Sequence, residues 1–332
     1  MKGFIMKKLL SFLLALSLLL TLPLLVACNN DQDPQTDARI WTLNGTTGFG
    51  MAQLISNNKN GTSQLRYEVT VETVATNVRD ALLNGNADIA AVPTNMAASL
   101  YNASNGAIQI IALNTKGVLY LVVNTARVAA PTSLEDLAGK TVYVPAQNPA
   151  FIAKALFDKA GVNVTLDDSI ADPTELRTNL AGGEEGFDYV ILPEPMVTIA
   201  KASASEGVTL TTALDLTAEW DQHFTPGSLV QGCVVARKAF IEAQPEKVTK
   251  FLEEYEQSIH YVTENPKEAS VMIKDAGIFA QAPVAEKAIP KCNIAYIDGN
   301  DMKAAMEAFL AAMPLTSIGG KLPDAGFYYG VS

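Results

Sequence analysis

Cysteine and histidine are scarce in this sequence, and their scarcity removes several kinds of functional site. Three cysteines and two histidines occur in 332 residues. No CxxC pair and no cluster of histidine with cysteine has the spacing of a zinc site. The GxSxG, HExxH and P-loop motifs are absent, and no GxGxxG is followed by a suitable acid. We therefore expect no metal, no cofactor and no catalytic residue.

Positive charge is also in short supply. The formal net charge is −11, and residues 1–27 hold three lysines and no acid, so the rest of the chain carries −14. A chain this acidic is a poor partner for nucleic acid or for an anionic lipid surface. We expect no nucleic-acid partner, but the spread of the charge does not identify a ligand.

One long apolar run stands out, at residues 9–27, and three lysines precede it: Lys2, Lys7 and Lys8. A positive start followed by an apolar run is typical of a secretory signal. The alternative is an uncleaved membrane anchor, because about 20 apolar residues can span a bilayer. In either case the rest of the chain faces outwards.

The end of this run, Leu25-Val26-Ala27-Cys28, resembles the bacterial lipobox. The resemblance implies that residues 1–27 are a lipoprotein signal peptide and that Cys28 carries lipid, including palmitate. Residues 28–38 follow as a polar stretch with one proline, which is typical of a flexible tether. The mature protein would then be lipid-anchored at the extracytoplasmic face of the cell membrane.

The two remaining cysteines, Cys233 and Cys292, have two possible roles. Outside the cytoplasm they could form a disulfide. Each also lies in an apolar context, where an isolated cysteine often behaves as a small buried hydrophobe. The sequence leaves both possibilities open.

Short apolar runs and amphipathic stretches alternate along the chain in two series. The first series begins at Ile40 and the second at Thr141. This rhythm with short loops predicts parallel or mostly parallel sheets covered by helices. After Lys238 the pattern becomes mainly helical, with apolar residues at helical spacing such as Phe251 and Tyr255.

The second series interrupts the first, so the sequence predicts two lobes joined by two connections. We place lobe 1 at residues 39–122 and 234–332, and lobe 2 at residues 123–233. The connections near 118–124 and 229–236 would act as a hinge, which restricts the motion of the lobes largely to a bend.

Polar or glycine residues repeatedly end a predicted strand directly before a predicted helix. Helix starts present unpaired N–H groups and a partial positive charge, and in open α/β sheets such loops line a crevice. Simple helix capping is the alternative explanation for these residue types. His223 is added because it precedes the returning strand. The predicted ligand-binding residues are Thr46, Thr47, Gly48, Thr94, Asn95, Gln147, Asn148, Glu194 and His223.

Four segments, at residues 82–90, 117–120, 133–142 and 192–195, together with the order of lipobox, tether and inserted lobe, carry a family resemblance. The chain resembles the solute-binding lipoproteins of ABC importers, in the branch for nitrate, sulfonate, taurine and thiamine-precursor uptake. The resemblance implies a two-lobed periplasmic-binding-protein type II fold of class α/β, with a mixed sheet flanked by helices in each lobe and a ligand cleft between them. It also implies a monomer that delivers a small-molecule solute to an ABC permease and its ATPase.

The sequence says less about the solute. Lys116 is the nearest basic residue to the predicted cleft loops, which favours a small polar organic solute, neutral or zwitterionic, over nitrate or sulfate. Thiamine-precursor members carry a cysteine-rich motif that this chain lacks. Two alternatives stay open: a ligand-binding sensor or adaptor lipoprotein without transport, and a pyrimidine-precursor-synthesis-like enzyme, which would need His223 or His260.

Overall fold

Two β-sheets organise residues 36–331, the part of the chain that this computed structural model describes. These residues belong to a single compact unit. The predicted α/β fold with two mixed sheets flanked by helices is confirmed. The predicted signal peptide 1–27, Cys28 and the first part of the tether lie outside the described residues. Ala38, which the sequence assigned to the end of the tether, is the first residue of a strand.

Eleven strands lie within the described residues. They are β1 (Ala38–Leu43), β2 (Tyr67–Glu72), β3 (Ile89–Pro93), β4 (Ile108–Lys116), β5 (Leu119–Asn124), β6 (Thr141–Tyr143), β7 (Thr165–Asp167), β8 (Tyr189–Pro193), β9 (Leu210–Asp215), β10 (Val230–Arg237) and β11 (Ile294–Ile297). The first sheet has the order β11-β4-β10-β3-β1-β2, and the second has the order β7-β6-β8-β5-β9.

Thirteen α-helices cover the sheets in the same described part. They are α1 (Thr46–Phe49), α2 (Ala52–Lys59), α3 (Ala75–Leu83), α4 (Thr94–Ala103), α5 (Asn148–Ala160), α6 (Pro173–Gly182), α7 (Met196–Ala202), α8 (Leu216–His223), α9 (Lys238–Ala243), α10 (Pro245–Glu264), α11 (Pro266–Asp275), α12 (Ala282–Ala288) and α13 (Gly299–Ala312). Short 3₁₀ helices lie at Glu135–Leu137, Ile289–Lys291, Leu315–Ile318 and Ala325–Phe327.

Both sheets are mixed rather than mostly parallel. β1 runs parallel to β2 and β3, but β10 runs antiparallel to β3 and β4. In the second sheet β5 runs antiparallel to both β8 and β9. The connections explain this. The chain leaves the first sheet at the carboxyl end of β4, and β5 begins beside the carboxyl end of β8 in the second sheet, so β5 runs antiparallel to β8. β10 re-enters the first sheet in the same way.

The connections between the sheets are short on the outward path. β4 ends at Lys116 and β5 begins at Leu119, so Gly117 and Val118 alone link them. The return path reaches the first sheet at Val230. β5 belongs to the second sheet and β10 belongs to the first. The division into lobe 1 (39–122 and 234–332) and lobe 2 (123–233) stays a prediction.

Alternate side chains of the central strands enter opposite cores. In β3, Ala90 and Val92 pack into one apolar cluster, while Ile89 and Ala91 pack into another on the other face of the sheet. This is the two-residue alternation expected of a strand buried on both sides. Amphipathic spacing in α10 places Phe251 among the buried side chains of the second cluster.

Cys233 and Cys292 are both free and buried. Cys233 belongs to the first apolar cluster and Cys292 to the second, so the sheet separates them. Burial raises the pKa of both thiols. Of the two roles left open by the sequence, the structure supports small buried hydrophobes. Among the residues described, no helix is both long enough and apolar enough to cross a membrane.

Candidate functional site

The carboxyl ends of strands from both sheets meet at the outward connection. β3 and β4 end there in the first sheet, and β8 ends there in the second, opposite the first residue of β5. The backbone N–H of Glu194 donates to the carbonyl of Val118, at 3.0 Å, and so ties the end of β8 to the connection. The two carboxyl edges therefore adjoin, which is where open α/β sheets bind ligands. We call this region, formed by the carboxyl ends of β3, β4 and β8 and the start of β5, the junction.

A buried hydrogen-bond network fixes the first helix start of the junction. Asn114, which is 1% exposed, donates through Nδ2 to the carbonyl of Thr47 at 3.1 Å and to the Tyr255 hydroxyl at 3.0 Å. Thr115 Oγ1 donates to Asn114 Oδ1 at 3.0 Å. A Cβ at Gly232 would collide with that oxygen, so the neighbouring strand must carry glycine. The network joins α1, β4 and α10, and β10 packs against it at Gly232.

Sequence reasoning missed Asn114 and Tyr255 as site-supporting residues. The available signal was the polar pair Asn114-Thr115, which directly follows the apolar run at residues 110–113 in strand β4. A buried polar pair needs partners, because an unpaired polar group in a core costs about 1–3 kcal/mol. The sequence does not say which distant residues supply those partners.

The predicted residues in α1 differ in their surroundings. Gly48 is buried, and a Cβ there would collide with the carbonyl of Leu43 and lie 2.9 Å from Ile278 Cγ2. Gly48 thus permits close packing. Thr46 and Thr47 are partly exposed at the junction.

The two predicted residues that open α4 point to different roles. Thr94 is fully buried, and its Oγ1 donates to the carbonyl of Val230 at 2.8 Å. That bond holds the return strand against the helix start. Asn95 is half-buried, and its Oδ1 is a buried acceptor that has no hydrogen-bond partner among the described residues.

The start of α5 has the same kind of unpaired acceptor. Asn148 is half-buried, and its Oδ1 is buried without a partner among the described residues. Gln147 before it is exposed and has a φ of 68°. Such a conformation is unusual for a residue other than glycine, and costs of order 1–3 kcal/mol. Residues of this kind cluster at binding sites.

Glu194 is 1% exposed and already has hydrogen-bond donors. Its carboxylate accepts from the backbone N–H of Thr198 at 3.1 Å and from Thr198 Oγ1 at 3.0 Å. The Lys291 ammonium lies 4.0 Å away. Burial raises the pKa of Glu194 above its ordinary value, while the Thr198 hydrogen bonds and the charges of Lys291 and Lys201 oppose that rise.

The structure does not place His223 with the helix starts. It is the last residue of α8, close to Glu135 and Glu219. The opposite end of α8 reaches the junction instead. There the Oγ1 of Thr217 is buried without a partner among the described residues and packs directly against Gly117.

The described residues contain no group of three or more histidine, cysteine or acidic side chains that could hold a metal ion. The junction is instead lined by amide and hydroxyl groups at helix starts. Such groups can donate and accept hydrogen bonds to a small polar molecule.

Residues 68–269 match the sequence profile of the family described as NMT1/THI5 like. This span is more than half of the chain. The chain belongs to the NMT1/THI5-like family. A comparison with curated proteins finds no significant match.

Several solved structures share the fold of this NMT1/THI5-like protein. An ABC transporter protein from Parabacteroides distasonis is 23% identical, with a TM-score of 0.74 over 89% of this chain and 98% of its own. The periplasmic aliphatic sulphonate binding protein SsuA from Escherichia coli is 11% identical, with a TM-score of 0.63 over 83% and 90%. The alkanesulfonate-binding protein SsuA from Xanthomonas axonopodis pv. citri, bound to MOPS, is 12% identical, with a TM-score of 0.61 over 91% and 99%. At these identities the likeness is one of fold.

Proposed function

We propose that this protein is the solute-binding component of an ABC importer. The observation that carries the proposal is the junction, where the carboxyl ends of strands from both sheets adjoin. The family membership and the fold shared with ABC-transporter and sulphonate-binding proteins support it. In this function two hinged lobes close on a solute, and a membrane permease with its ATPase receives it.

The two unpaired acceptors argue for the chemical class of the solute. Asn95 Oδ1 lies at a helix start of the first sheet and Asn148 Oδ1 at a helix start of the second. A buried acceptor without a partner is unfavourable, so a ligand that supplies N–H or O–H donors to both would stabilise the closed arrangement. We infer a small polar organic solute, neutral or zwitterionic, and not a bare inorganic anion.

Thr46, Thr47 and Gln147 complete the proposed solute site, since all three lie at the same helix starts and are at least partly exposed. Glu194 stays in the proposed site through its position. Its hydrogen bonds from Thr198 are consistent with two roles: the carboxylate can order the start of α7, and it can also contact a solute.

We propose binding without catalysis. The enzyme alternative needs a histidine at the site, but the His260 side chain is 63% exposed on α10 beside Glu256. His223 lies at the far end of α8 from Thr217. We further propose that Cys28 carries lipid and holds the protein, as a monomer, at the extracytoplasmic face of the membrane.

A thermal-shift screen of the purified protein tests the proposed function. Amino acids, sulfonates, pyrimidines and vitamins are the solutes to compare. A ligand at 100 times its dissociation constant adds about 2.7 kcal/mol to the free energy of unfolding, which is readily detected. We expect at least one organic solute with N–H or O–H donors to raise the melting temperature. If sulfate or nitrate raises it and no organic solute does, the proposed solute class is wrong.

A further inference from the structure

A third segment joins the two sheets at the junction, in addition to the two chain connections. It consists of α12, the 3₁₀ helix Ile289–Lys291 and the following Cys292 and Asn293, and we call residues 282–293 the strap. Its apolar side chains are buried in the second apolar cluster, on the first sheet: Ala285, Ala288, Ile289 and Cys292. β11 follows directly and pairs with β4, so the strap is anchored at the first sheet.

The polar groups of the strap reach the second sheet. The hydroxyl of Tyr120, in β5, donates to the carbonyl of Lys291 at 2.7 Å. The Lys291 ammonium lies 4.0 Å from the carboxylate of Glu194, at the end of β8. α12 also packs against α7, which begins just after Glu194. These contacts cross from one sheet to the other without following the chain.

The strap also holds the outward connection itself. Asn293 Nδ2 donates to the carbonyl of Gly117 at 2.5 Å, and the backbone N–H of Lys116 donates to the carbonyl of Asn293 at 3.0 Å. Gly117 is wedged between Thr217 and Leu229, where a Cβ would collide with both side chains. Gly117, the point about which the sheets would turn, is therefore held by the strap, by Thr217 and by Leu229.

We propose that the strap is a latch that holds the two lobes in this arrangement, with Tyr120 and Lys291 as its positioning residues. A bend at the connections would leave the strap with the first sheet, because its apolar side chains are buried there. Tyr120 and Glu194 would then move away from Lys291, and their contacts would break. The latch does not depend on the proposed function, but its effect on solute binding does. In a protein that opens more readily, a smaller fraction of the molecules is in the binding-competent state, so the solute binds less tightly.

The test uses the purified protein without any solute. Two changes made together, Tyr120→Phe and Lys291→Met, remove the hydroxyl and the charge while keeping most of each side chain. Hydrogen–deuterium exchange is followed in peptides that cover residues 114–121 and 286–295, and in the β1 peptide 38–43 as an internal reference. The radius of gyration is measured in parallel by small-angle scattering.

Matched controls remove the same groups within one lobe. Tyr67→Phe loses a hydroxyl that donates to Glu254 at 2.6 Å, and Lys247→Met loses an ammonium 3.2 Å from Asp37. Neither contact reaches the second sheet. Their double variant therefore reports any general loss of stability that such changes cause.

For the latch we expect exchange at 114–121 and 286–295 to become about tenfold faster, a change of about 1.4 kcal/mol in the opening equilibrium. The 38–43 peptide should be unchanged and the radius of gyration should increase. Exchange equal to the wild-type protein, exchange that rises equally in the control double variant, or faster exchange with an unchanged radius would each overturn the latch. Because no solute is present, a failure of the proposed function leaves this result intact.

Discussion

The helix start after β1 and the helix start after β6 lie at corresponding places in the two sheets, yet they are held differently. α1 is fixed by long-range buried bonds, in which Asn114 reaches both Thr47 and Tyr255. α5 is fixed locally, by the positive φ of Gln147 and a proline in its first turn. The first helix start is therefore coupled to the folding of the whole first lobe. We expect that the second can be altered with little effect on folding, so that changes there separate binding from stability.

The largest expected effect comes from breaking the long-range support of α1. Gly232→Ala introduces a Cβ that collides with Asn114 Oδ1 and crowds Thr115. Overpacking costs about 1–3 kcal/mol and the displaced amide loses hydrogen bonds, so we expect the free energy of unfolding to fall by about 3 kcal/mol in denaturant titration.

Gly182→Ala is the matched control for that change. Gly182 lies in α6, and the nearest atom to an added Cβ is 3.9 Å away. Alanine is favoured over glycine in a helix, so this variant should be as stable as the wild type or slightly more stable. Equal losses in the two variants would mean that the Asn114 network does not explain the effect of Gly232→Ala.

An intermediate effect is expected from Asn148→Ala, and it should appear in binding instead of stability. Asn148 Oδ1 has no hydrogen-bond partner among the described residues, so the substitution removes no hydrogen bond to this oxygen and we expect the melting temperature to stay near the wild-type value. Loss of a hydrogen bond to a solute weakens affinity by about 0.5–1.5 kcal/mol, roughly two- to tenfold. Calorimetric titration with the solute found by thermal shift measures this, with the exposed Asn86→Ala as control. An unchanged affinity would remove Asn148 from the site.

The smallest expected effect concerns Glu194 and pH. Burial raises its pKa in the folded protein, so the folded state binds this proton more tightly than the unfolded state. The stability that this provides is fully present below the ordinary carboxyl pKa and is lost as pH rises through the raised value. Glu194→Gln should therefore gain stability relative to the wild type as pH rises. Melting curves of both proteins from acid to neutral pH measure the difference, with Glu185→Gln, at an exposed carboxylate, as the control. A difference between the two proteins that does not change with pH would contradict this prediction.

Much of the local structure could be predicted from the sequence. The helix Asn148–Ala160 has sequence signals at both ends, with Pro149 in its first turn and Gly161, in a left-handed conformation, directly after it. The two series of apolar runs also match the strands, since Ile40 lies in β1 and Thr141 is the first residue of β6. β11 was missed because a four-residue strand gives little pattern beside helices. The direction of β5 and β10 was also missed, since it depends on which edge the connections use.

The helix starts of the candidate site could be predicted from the sequence, but their contacts could not. The rule that strands end at a common edge identified the helix starts, but it could not separate Thr94, whose hydroxyl is bonded to Val230, from Asn95, whose oxygen is unpaired. That difference depends on contacts 136 residues apart along the chain. His223 precedes the returning strand in the sequence, but it lies at the end of α8 opposite to Thr217, the end that reaches the junction.

A crystal structure of the protein with the solute identified by thermal shift would show directly where the solute binds. We expect the solute at the junction, with donor groups within about 3 Å of both Asn95 Oδ1 and Asn148 Oδ1. It would then touch helix starts of both sheets at once. A solute bound on the outer face of one sheet, without contact to either asparagine, would contradict the account.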